Sequence, residues 1–307
     1  MKTLVFGSAN IDRTFSVPHI AAGGETIAAS KLESFCGGKG FNQAIALARA
    51  GCEVYFAGAI GEDGLFLKET LAAENINVDH LYVSSAPSGQ AIIQVAADGQ
   101  NSIIILAGAN GTITPELAET VLSAFSAGDL IVLQNEITSV DYILAEASKK
   151  GMLVAFNPSP FNEKIAGLDL SCVDFLLLNE IEGSMLTGKE DHSDILRELH
   201  RGYPAVNILL TLGSVGSLYL DKSGELCSCG IYPVSAVDTT GAGDTFTGYF
   251  LASVQNGMDA ADAMKTAAAA SGISVSRKGA SSSVPTAEEV SRADFSLIKE
   301  CLPCTNI

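Results

Sequence analysis

The stretch VDTTGAGDTFTGYF, residues 237–250, is the part of the sequence that decides the fold class. Asp238 and Asp244 bracket a run of small residues, and an apolar segment with helical character follows at once. A glycine-rich turn leading into a helix presents free backbone N–H groups and the positive end of the helix dipole. The stretch therefore predicts an α/β fold with an anion site at a helix N-terminus.

Asp244 falls in the first turn of this predicted helix, next to the expected anion. A carboxylate beside an anion is unfavourable unless it has a chemical task, and beside a transferring phosphoryl group it would orient and deprotonate a hydroxyl. The alternative is an ordinary glycine-rich turn in which Asp244 is simply a favourable first-turn residue. The presence of two aspartates favours the functional interpretation.

Outward from this stretch, short apolar runs alternate with amphipathic stretches for most of the chain. This alternation predicts a doubly wound, mostly parallel sheet with helices on both faces. We expect strands at 3–7, 54–60, 130–135, 153–157, 173–179 and 206–213. We expect helices at 40–51, 63–74, 114–127, 138–150 and 180–187.

Two segments break this alternation. Residues 12–36 are typical of strands and turns, and residues 88–107 contain two β-rich runs around Asp98-Gly99, a strong hairpin signal. Together they predict a small antiparallel sheet attached to the main core, serving as a lid or an oligomer interface. Because the sequence contains no recognisable linker, we expect one α/β domain over residues 1–307. The lid of this domain would be formed by residues 12–36 and 88–107.

The composition narrows the possible partners. The chain has 307 residues and a net charge of -17, from 18 basic and 35 acidic side chains. This charge argues against nucleic acid and anionic membrane as partners. No apolar run approaches a membrane span, and the start has no secretory signal, so we expect a cytoplasmic protein.

The seven cysteines are scattered, and we expect them to be reduced and structural. Cys301 and Cys304 have the spacing of half a zinc site. No second pair lies at zinc-finger or zinc-ribbon spacing, so the structural interpretation is favoured.

A second glycine-rich helix start lies at CGGKGFNQA, residues 36–44, where Lys39 is the cation and Asn42 a hydrogen-bonding group. It does not match a P-loop, and no G-x-G-x-x-G follows a strand, which argues against a nicotinamide dehydrogenase. The stretch suits a polyhydroxylated ligand held by backbone and amide groups. A closely packed strand-to-helix turn explains these residues equally well.

Polar residues also follow predicted strands, at the edge where parallel sheets gather ligands. Asp12 could hold two sugar hydroxyls, although a lone aspartate after a strand is more often a turn former. Asn179 and Glu182 could hold a hydrated magnesium ion, because Mg²⁺ is bound by few carboxylates and several waters. A solvated helix residue is the alternative for Glu182.

The motifs GGKGFNQA, NPSP, LNEIE, TLGSVG, VDTTGAGDTF and SVSRKGASSSVP stand in an order that resembles the ribokinase-like (phosphofructokinase-B type) sugar kinases. The resemblance extends from Gly7 to Pro285. It implies a doubly wound core, a β-sheet lid, ATP as phosphoryl donor and magnesium. One departure is Tyr249, where the family pattern has a small residue after Gly248.

The resemblance also implies roles for individual residues. Asp244 would be the catalytic base, and an anion hole would be formed by the amides of Gly241, Ala242 and Gly243. The sugar would be bound by Asn10, Asp12, Gly37, Gly38, Lys39, Asn42 and Glu136. ATP would be bound by Asn179, Thr211, Gly213 and Ser214, with Glu182 reaching magnesium through water. A potassium ion would be bound by Asp238, Thr240, Ser274, Arg277, Gly279 and Ser283.

The sequence thus predicts an ATP-dependent sugar kinase that acts on a primary hydroxyl, with D-ribose to D-ribose 5-phosphate as the favoured reaction. A kinase for another sugar or a nucleoside is the alternative within the class. A non-catalytic sugar-binding protein on the same fold is the alternative from another class, and it would not need both Asp244 and the glycines. We also expect a homodimer formed through the lid.

Overall fold

The computed structural model describes residues 1–298, so Cys301 and Cys304 lie outside the described residues. In chain order its strands are β1 Thr3–Phe6, β2 Asn10–Val17, β3 Lys31–Gly37, β4 Val54–Gly61, β5 Asn77–Ser84, β6 Gly89–Ala96, β7 Asn101–Leu106, β8 Leu130–Gln134, β9 Leu153–Asn157, β10 Phe175–Asn179, β11 Asn207–Thr211, β12 Ser217–Leu220 and β13 Leu226–Cys229. Its α-helices are α1 Lys39–Arg49, α2 Leu65–Ala73, α3 Pro115–Leu122, α4 Val140–Lys149, α5 Glu180–Thr187, α6 His192–Gly202, α7 Ala242–Gln255, α8 Ala260–Val275 and α9 Ala287–Ser291.

The main sheet has nine strands in the order β13-β12-β11-β10-β9-β8-β1-β4-β5. The strands from β11 to β5 run parallel, while β12 and β13 add an antiparallel edge. One hydrophobic cluster packs α1, α7 and α8 on one face, and a second packs α3, α4 and α6 on the other. The predicted doubly wound, mostly parallel sheet is confirmed.

A second sheet of four strands, in the order β3-β2-β6-β7, is built from the two segments that broke the alternation. Two of its pairings are antiparallel, and the central pair, β2 with β6, is parallel. The turn between β6 and β7 contains Asp98 and Gly99, and Gly99 has the positive φ of 86° that a tight turn uses. Asn10 and Asp12 lie within β2 rather than in a turn after β1.

Each strand expected in the main sheet is present, with ends shifted by a few residues. The expected helix at 114–127 is shorter, ending at Leu122, and it starts at Pro115 with Thr114 accepting the Leu117 N–H at 3.3 Å. Six of these strands and helices were not assigned from the sequence: β5, β12, β13, α6, α8 and α9. β5 is a half-exposed edge strand with one buried residue, so its apolar pattern is weak.

Helices α1 and α7 pack directly against each other, and this contact positions the site. A Cβ at Gly248 would come within 3.0 Å of the Leu47 amide nitrogen, so only glycine permits this approach. Tyr249 fits beside it, because its ring is buried and its hydroxyl donates to the Pro285 carbonyl at 2.7 Å. As a result the first turns of the two helices face each other.

Among residues 1–298, no helix combines the length and apolarity required to span a bilayer. In the same part of the chain, no three His, Cys, Asp or Glu side chains cluster in a way that could hold a metal ion.

Candidate active site

Asp244 lies in the first turn of α7 and only 7% of its surface is exposed. Both of its oxygens accept hydrogen bonds from side chains of α1. Asn42 donates from Nδ2 to Oδ2 at 3.0 Å, and Gln43 donates from Nε2 to Oδ1 at 3.0 Å. Because each oxygen keeps a further lone pair, the carboxylate can still accept a proton from a substrate hydroxyl.

Of the three amides predicted to form the anion hole, those of Gly241 and Gly243 remain available among the described residues, and that of Ala242 does not. Gly241 caps the helix in the left-handed conformation, with φ at 73°, and Thr245 is the first residue to donate in the helical pattern, to the Gly241 carbonyl at 2.9 Å. The Ala242 N–H is engaged by the Thr239 carbonyl at 3.2 Å. A Cβ at Gly243 would meet nothing within 4 Å, so an anion has room to approach there.

The start of α1 is arranged differently. Gly38 caps it with φ at 94°, and a Cβ there would come within 3.0 Å of the Ser8 carbonyl oxygen. The Lys39 N–H donates to Glu136 Oε2 at 2.8 Å, and the Ser8 hydroxyl donates to the same oxygen in a very short hydrogen bond. Glu136 therefore caps α1.

The predicted sugar residues converge near this helix start. Gly37 lies directly against Asp12, because a Cβ at Gly37 would overlap the Asp12 carboxylate. Asn10 is buried, and its Oδ1 accepts from Asn110 Nδ2 at 2.7 Å. Burial, with the nearby charges of Glu136 and Asp244, raises the pKa of Asp12 from 3.8 to about 7.

Lys39 supplies the cation of the site. Burial works against its charge, but the carboxylates of Asp244, Glu136 and Glu182 outweigh that effect and raise the pKa of its ammonium. Its side chain lines a cavity of about 140 Å³ together with Asp244 and Gly243. A cation, an acceptor carboxylate and a free helix start therefore share one small polar space.

A larger cavity, of about 490 Å³, lies on the other side of the α7 start. Thr211, Gly213 and Ser214, predicted to bind the nucleotide, line it. Much of the remaining wall is apolar, including Phe246, and Gly243 belongs to both cavities. The two cavities therefore meet at the predicted anion hole.

Asn179 and Glu182 form a capping box at the start of α5. The Glu182 N–H donates to Asn179 Oδ1 at 2.8 Å, and the Asn179 N–H donates to Glu182 Oε2 at 3.1 Å. Glu182 is 6% exposed, so the solvated-residue alternative is wrong. Both residues line the small cavity with Asp244, where one carboxylate plus waters and substrate phosphates fits the preferences of Mg²⁺.

The predicted potassium residues lie in the loop before α7, at the C-terminal end of α8 and in the loop that follows α8. Burial opposes ionisation of Asp238, but hydrogen bonds from Thr240 and Gly279 outweigh it and lower its pKa. The hydroxyls of Ser274 and Ser283 lie 2.7 Å apart. The Arg277 guanidinium is a cation and donates to Glu289 at 2.6 Å, so Arg277 can serve a cation site only through its backbone.

Some residues of the site were not assigned from the sequence. Gln43 touches Asp244, Ser8 touches Glu136, and Asn110 orients Asn10. One feature of the sequence could have identified Gln43, namely its position directly after Asn42 on the first turn of a helix that follows glycines. No local sequence feature identifies Ser8 or Asn110, because only the fold brings them to the site.

The sequence profile of the pfkB family carbohydrate kinases matches residues 2–287. The chain belongs to this family, and it is a carbohydrate kinase. It is 35% identical over 298 residues to a ribokinase of Haemophilus influenzae, covering 94% of this chain and 97% of that protein. It is 34% identical over 302 residues to a deoxyribokinase of Salmonella typhi, covering 94% and 97%. The structure of Arabidopsis thaliana ribokinase complexed with ribose and ATP matches with a TM-score of 0.82 at 32% identity, covering 95% of this chain and 97% of that one.

Proposed function

We propose that this chain is an ATP-dependent kinase that converts D-ribose to D-ribose 5-phosphate in the cytoplasm. The observation that carries the proposal is the position of Asp244, at an open helix start between a polar cleft and a larger cavity. The cleft side offers the carboxylates of Asp12 and Glu136, suited to several sugar hydroxyls. The similarity to ribokinases supports ribose as the acceptor.

In this proposal the primary hydroxyl of the sugar faces Asp244. The hydroxyl oxygen attacks the γ-phosphorus of ATP, the bond from that phosphorus to the β-phosphate oxygen breaks, and the hydroxyl proton passes to Asp244. The N–H groups at the start of α7 and the Lys39 ammonium stabilise the charge on the transferring phosphoryl group. The products are ADP and the sugar phosphate.

The test is a panel of acceptors with the purified protein. ADP formation is measured with D-ribose, deoxyribose, hexoses and nucleosides at equal concentration. We expect D-ribose to give the highest kcat/KM and deoxyribose a lower value, because a site built to bond a hydroxyl rejects an analogue that lacks it. A higher value for deoxyribose, a hexose or a nucleoside would overturn the ribose assignment and leave the kinase assignment standing.

We assign magnesium to the side of the small cavity formed by Asn179 and Glu182. When bound, the ion would neutralise phosphate charge and join the donor to the protein through water. Removal of divalent cations with a chelator should abolish turnover, and Glu182→Gln should raise the magnesium concentration needed for half-maximal rate. An unchanged magnesium requirement in that variant would remove Glu182 from this role.

We also propose a potassium site in the loop of Asp238, Thr240 and residues 274–283. Ala280 from this loop packs against Gly241, where a Cβ would come within 3.1 Å of the Ala280 Cα. A cation that orders the loop would therefore order the anion hole. Potassium should raise kcat several-fold over a bulky organic cation at equal ionic strength, and equal rates would refute the assignment.

The four-stranded sheet is proposed to serve as the lid and as a dimer contact. Four consecutive residues of its edge strand β7 are apolar and more than half exposed: Ile103, Ile104, Ile105 and Leu106. An exposed apolar edge strand is unfavourable for a monomer, and a second copy would cover it. Sedimentation should show a dimer at micromolar concentration that Ile104→Glu dissociates. A monomeric wild type would contradict the proposed dimer contact but not the proposed lid.

A further inference from the structure

A buried chain of side-chain amides runs from the middle of the main sheet to Asp244. Gln134 of β8 donates from Nε2 to Gln43 Oε1 at 2.6 Å. Gln43 in turn donates from Nε2 to Asp244 Oδ1 at 3.0 Å and to Asn157 Oδ1 at 3.4 Å. Gln43 and Gln134 are both 0% exposed, so water does not replace these bonds.

The partners of Gln43 determine which way its amide points. An ionised carboxylate only accepts hydrogen bonds, so Gln43 must turn its NH₂ group toward Asp244. Its oxygen then faces Gln134, which has to donate. Asn157 continues the same polarity, because it accepts from Gln43 and donates to the Leu177 carbonyl at 2.8 Å.

We propose that Gln43 is a positioning residue for phosphoryl transfer, held in its working orientation by Gln134, an inference that rests on the proposed role of Asp244. Gln43 binds one oxygen of Asp244 while Asn42 binds the other, so the carboxylate is fixed in one plane. Hydrogen bonds of this kind favour the charged form of a carboxylate. The substrate hydroxyl therefore meets a base that is oriented in advance.

A neutral amide suits this position better than a charged group. Lys39 and Asp12 already act on Asp244 by charge, and Glu182 lines the same cavity. A second cation beside Asp244 would form an ion pair with it and weaken it as a base, and a second carboxylate would repel it. An amide supplies hydrogen bonds without changing the net charge of the site.

Gln134 carries a signature of this positioning role. Its Oε1 is buried and, within the described residues, has no hydrogen-bond partner. A buried acceptor without a partner is unfavourable and is rare in folded proteins. Turning the Gln134 amide over would offer that oxygen to Gln43 but would place two oxygens face to face. Gln134 thus keeps its NH₂ on Gln43 and leaves its own oxygen unpaired.

The experiment uses the full-length protein and the ribose assay, with three variants. Gln43→Met keeps the length of the side chain and removes both donors, and we expect kcat to fall by at least about tenfold. The acid limb of the kcat/KM profile should move to higher pH, while the KM for ATP should stay unchanged. Gln134→Met should cause a smaller change in the same direction.

The double variant, Gln43→Met with Gln134→Met, separates positioning from packing. If Gln134 acts only through Gln43, the double variant should be no slower than Gln43→Met alone. Gln255→Met is the matched control, because Gln255 lies at the far end of α7 and bonds Thr3 and the Met1 carbonyl. Its kcat and pH profile should equal those of the wild type.

Two results would overturn the inference: an unmoved acid limb in Gln43→Met, or fully additive losses in the double variant. If Gln43→Met does not fold, Gln43→Leu removes the same donors without adding charge and should move the acid limb in the same direction; an unmoved limb there contradicts the inference equally. An inactive wild type would instead defeat the proposed function. NMR of aspartate-labelled protein then decides: the Asp244 signal, identified by its loss in Asp244→Asn, should titrate at higher pH in the folded Gln43 variant than in the wild type, and an identical titration would overturn the inference.

Discussion

The two glycine-rich helix starts resemble each other in sequence, yet their surroundings in the structure are opposite. At α1, Gly38 is packed against Ser8, and the first N–H of the helix is already bonded to Glu136. At α7, Gly243 faces open space, and the acidic residue of the first turn, Asp244, is bonded to side chains of α1 instead of its own helix start.

This difference separates two tasks that the motifs alone do not distinguish. A helix start whose amide is occupied by a carboxylate repels an anion, so we propose that α1 holds and shapes the sugar side. A helix start that is open and flanked by Lys39 attracts an anion, so we propose that α7 binds the transferring phosphoryl group. Substitutions at the two helix starts can test these two proposed tasks separately.

The largest effect is expected at the base. Asp244→Asn keeps the shape of the side chain but cannot take the hydroxyl proton, so kcat should fall by about 10²–10⁴. Binding of ribose and ATP, followed by calorimetry, should change little. Turnover close to the wild-type value would remove Asp244 from the role of base.

Substitution of a glycine should mainly lower the rate at the start of α7 and mainly lower the stability at the start of α1. Gly243→Val has space for its side chain, so the protein should fold normally while kcat drops by about 10² or more, because the anion hole is obstructed. Gly38→Val should instead lower the free energy of unfolding by roughly 1–3 kcal/mol, because φ there is 94° and Ser8 is in the way. Denaturant unfolding and steady-state rates measured on both variants check this, and similar damage from both would break the comparison.

Glu136 should matter for the sugar more than for the nucleotide. Glu136→Ala removes a carboxylate from the cleft and the cap of α1, and we expect the KM for ribose to rise about tenfold with the KM for ATP unchanged. Glu136→Gln retains an acceptor for the Lys39 N–H and is the matched variant, expected to lose less. Wild-type ribose affinity in Glu136→Ala would take the residue out of the sugar site.

The smallest effect is expected on the pH dependence of folding stability, through Asp12. Because the pKa of Asp12 is about 7 in the folded protein against an ordinary 3.8, the folded state binds more protons between these values, and stability falls as pH rises through that interval. Asp12→Asn should therefore raise Tm by a few degrees at about pH 8 and by less at about pH 5. Asp98→Asn, in the exposed β6–β7 turn, is the control. An equal gain at both pH values would contradict the shifted pKa.

The sequence predicted the features that depend on local patterns. The alternation of strands and helices, the hairpin at Asp98-Gly99 and both helix starts follow from periodicity and turn chemistry. The contacts that define the site could not be predicted from such local patterns. Glu136 and Lys39 are 97 positions apart, and Gln43 and Asp244 are 201 apart, so only the packed fold shows that they touch. The parallel pairing of β2 with β6 likewise depends on chain crossover and not on either strand's pattern.

We propose that the phosphoryl group is held at α7 and not at α1. A crystal structure of the protein with ribose, ADP, magnesium and aluminium fluoride, a planar mimic of the transferring phosphoryl group, tests it most directly. We expect the fluoride mimic to lie against the backbone N–H of Gly243, within hydrogen-bond distance of Lys39, with the ribose primary hydroxyl between the mimic and Asp244. A mimic bound at the start of α1, displacing Glu136 from the Lys39 N–H, would contradict the assignment of the phosphoryl site to α7.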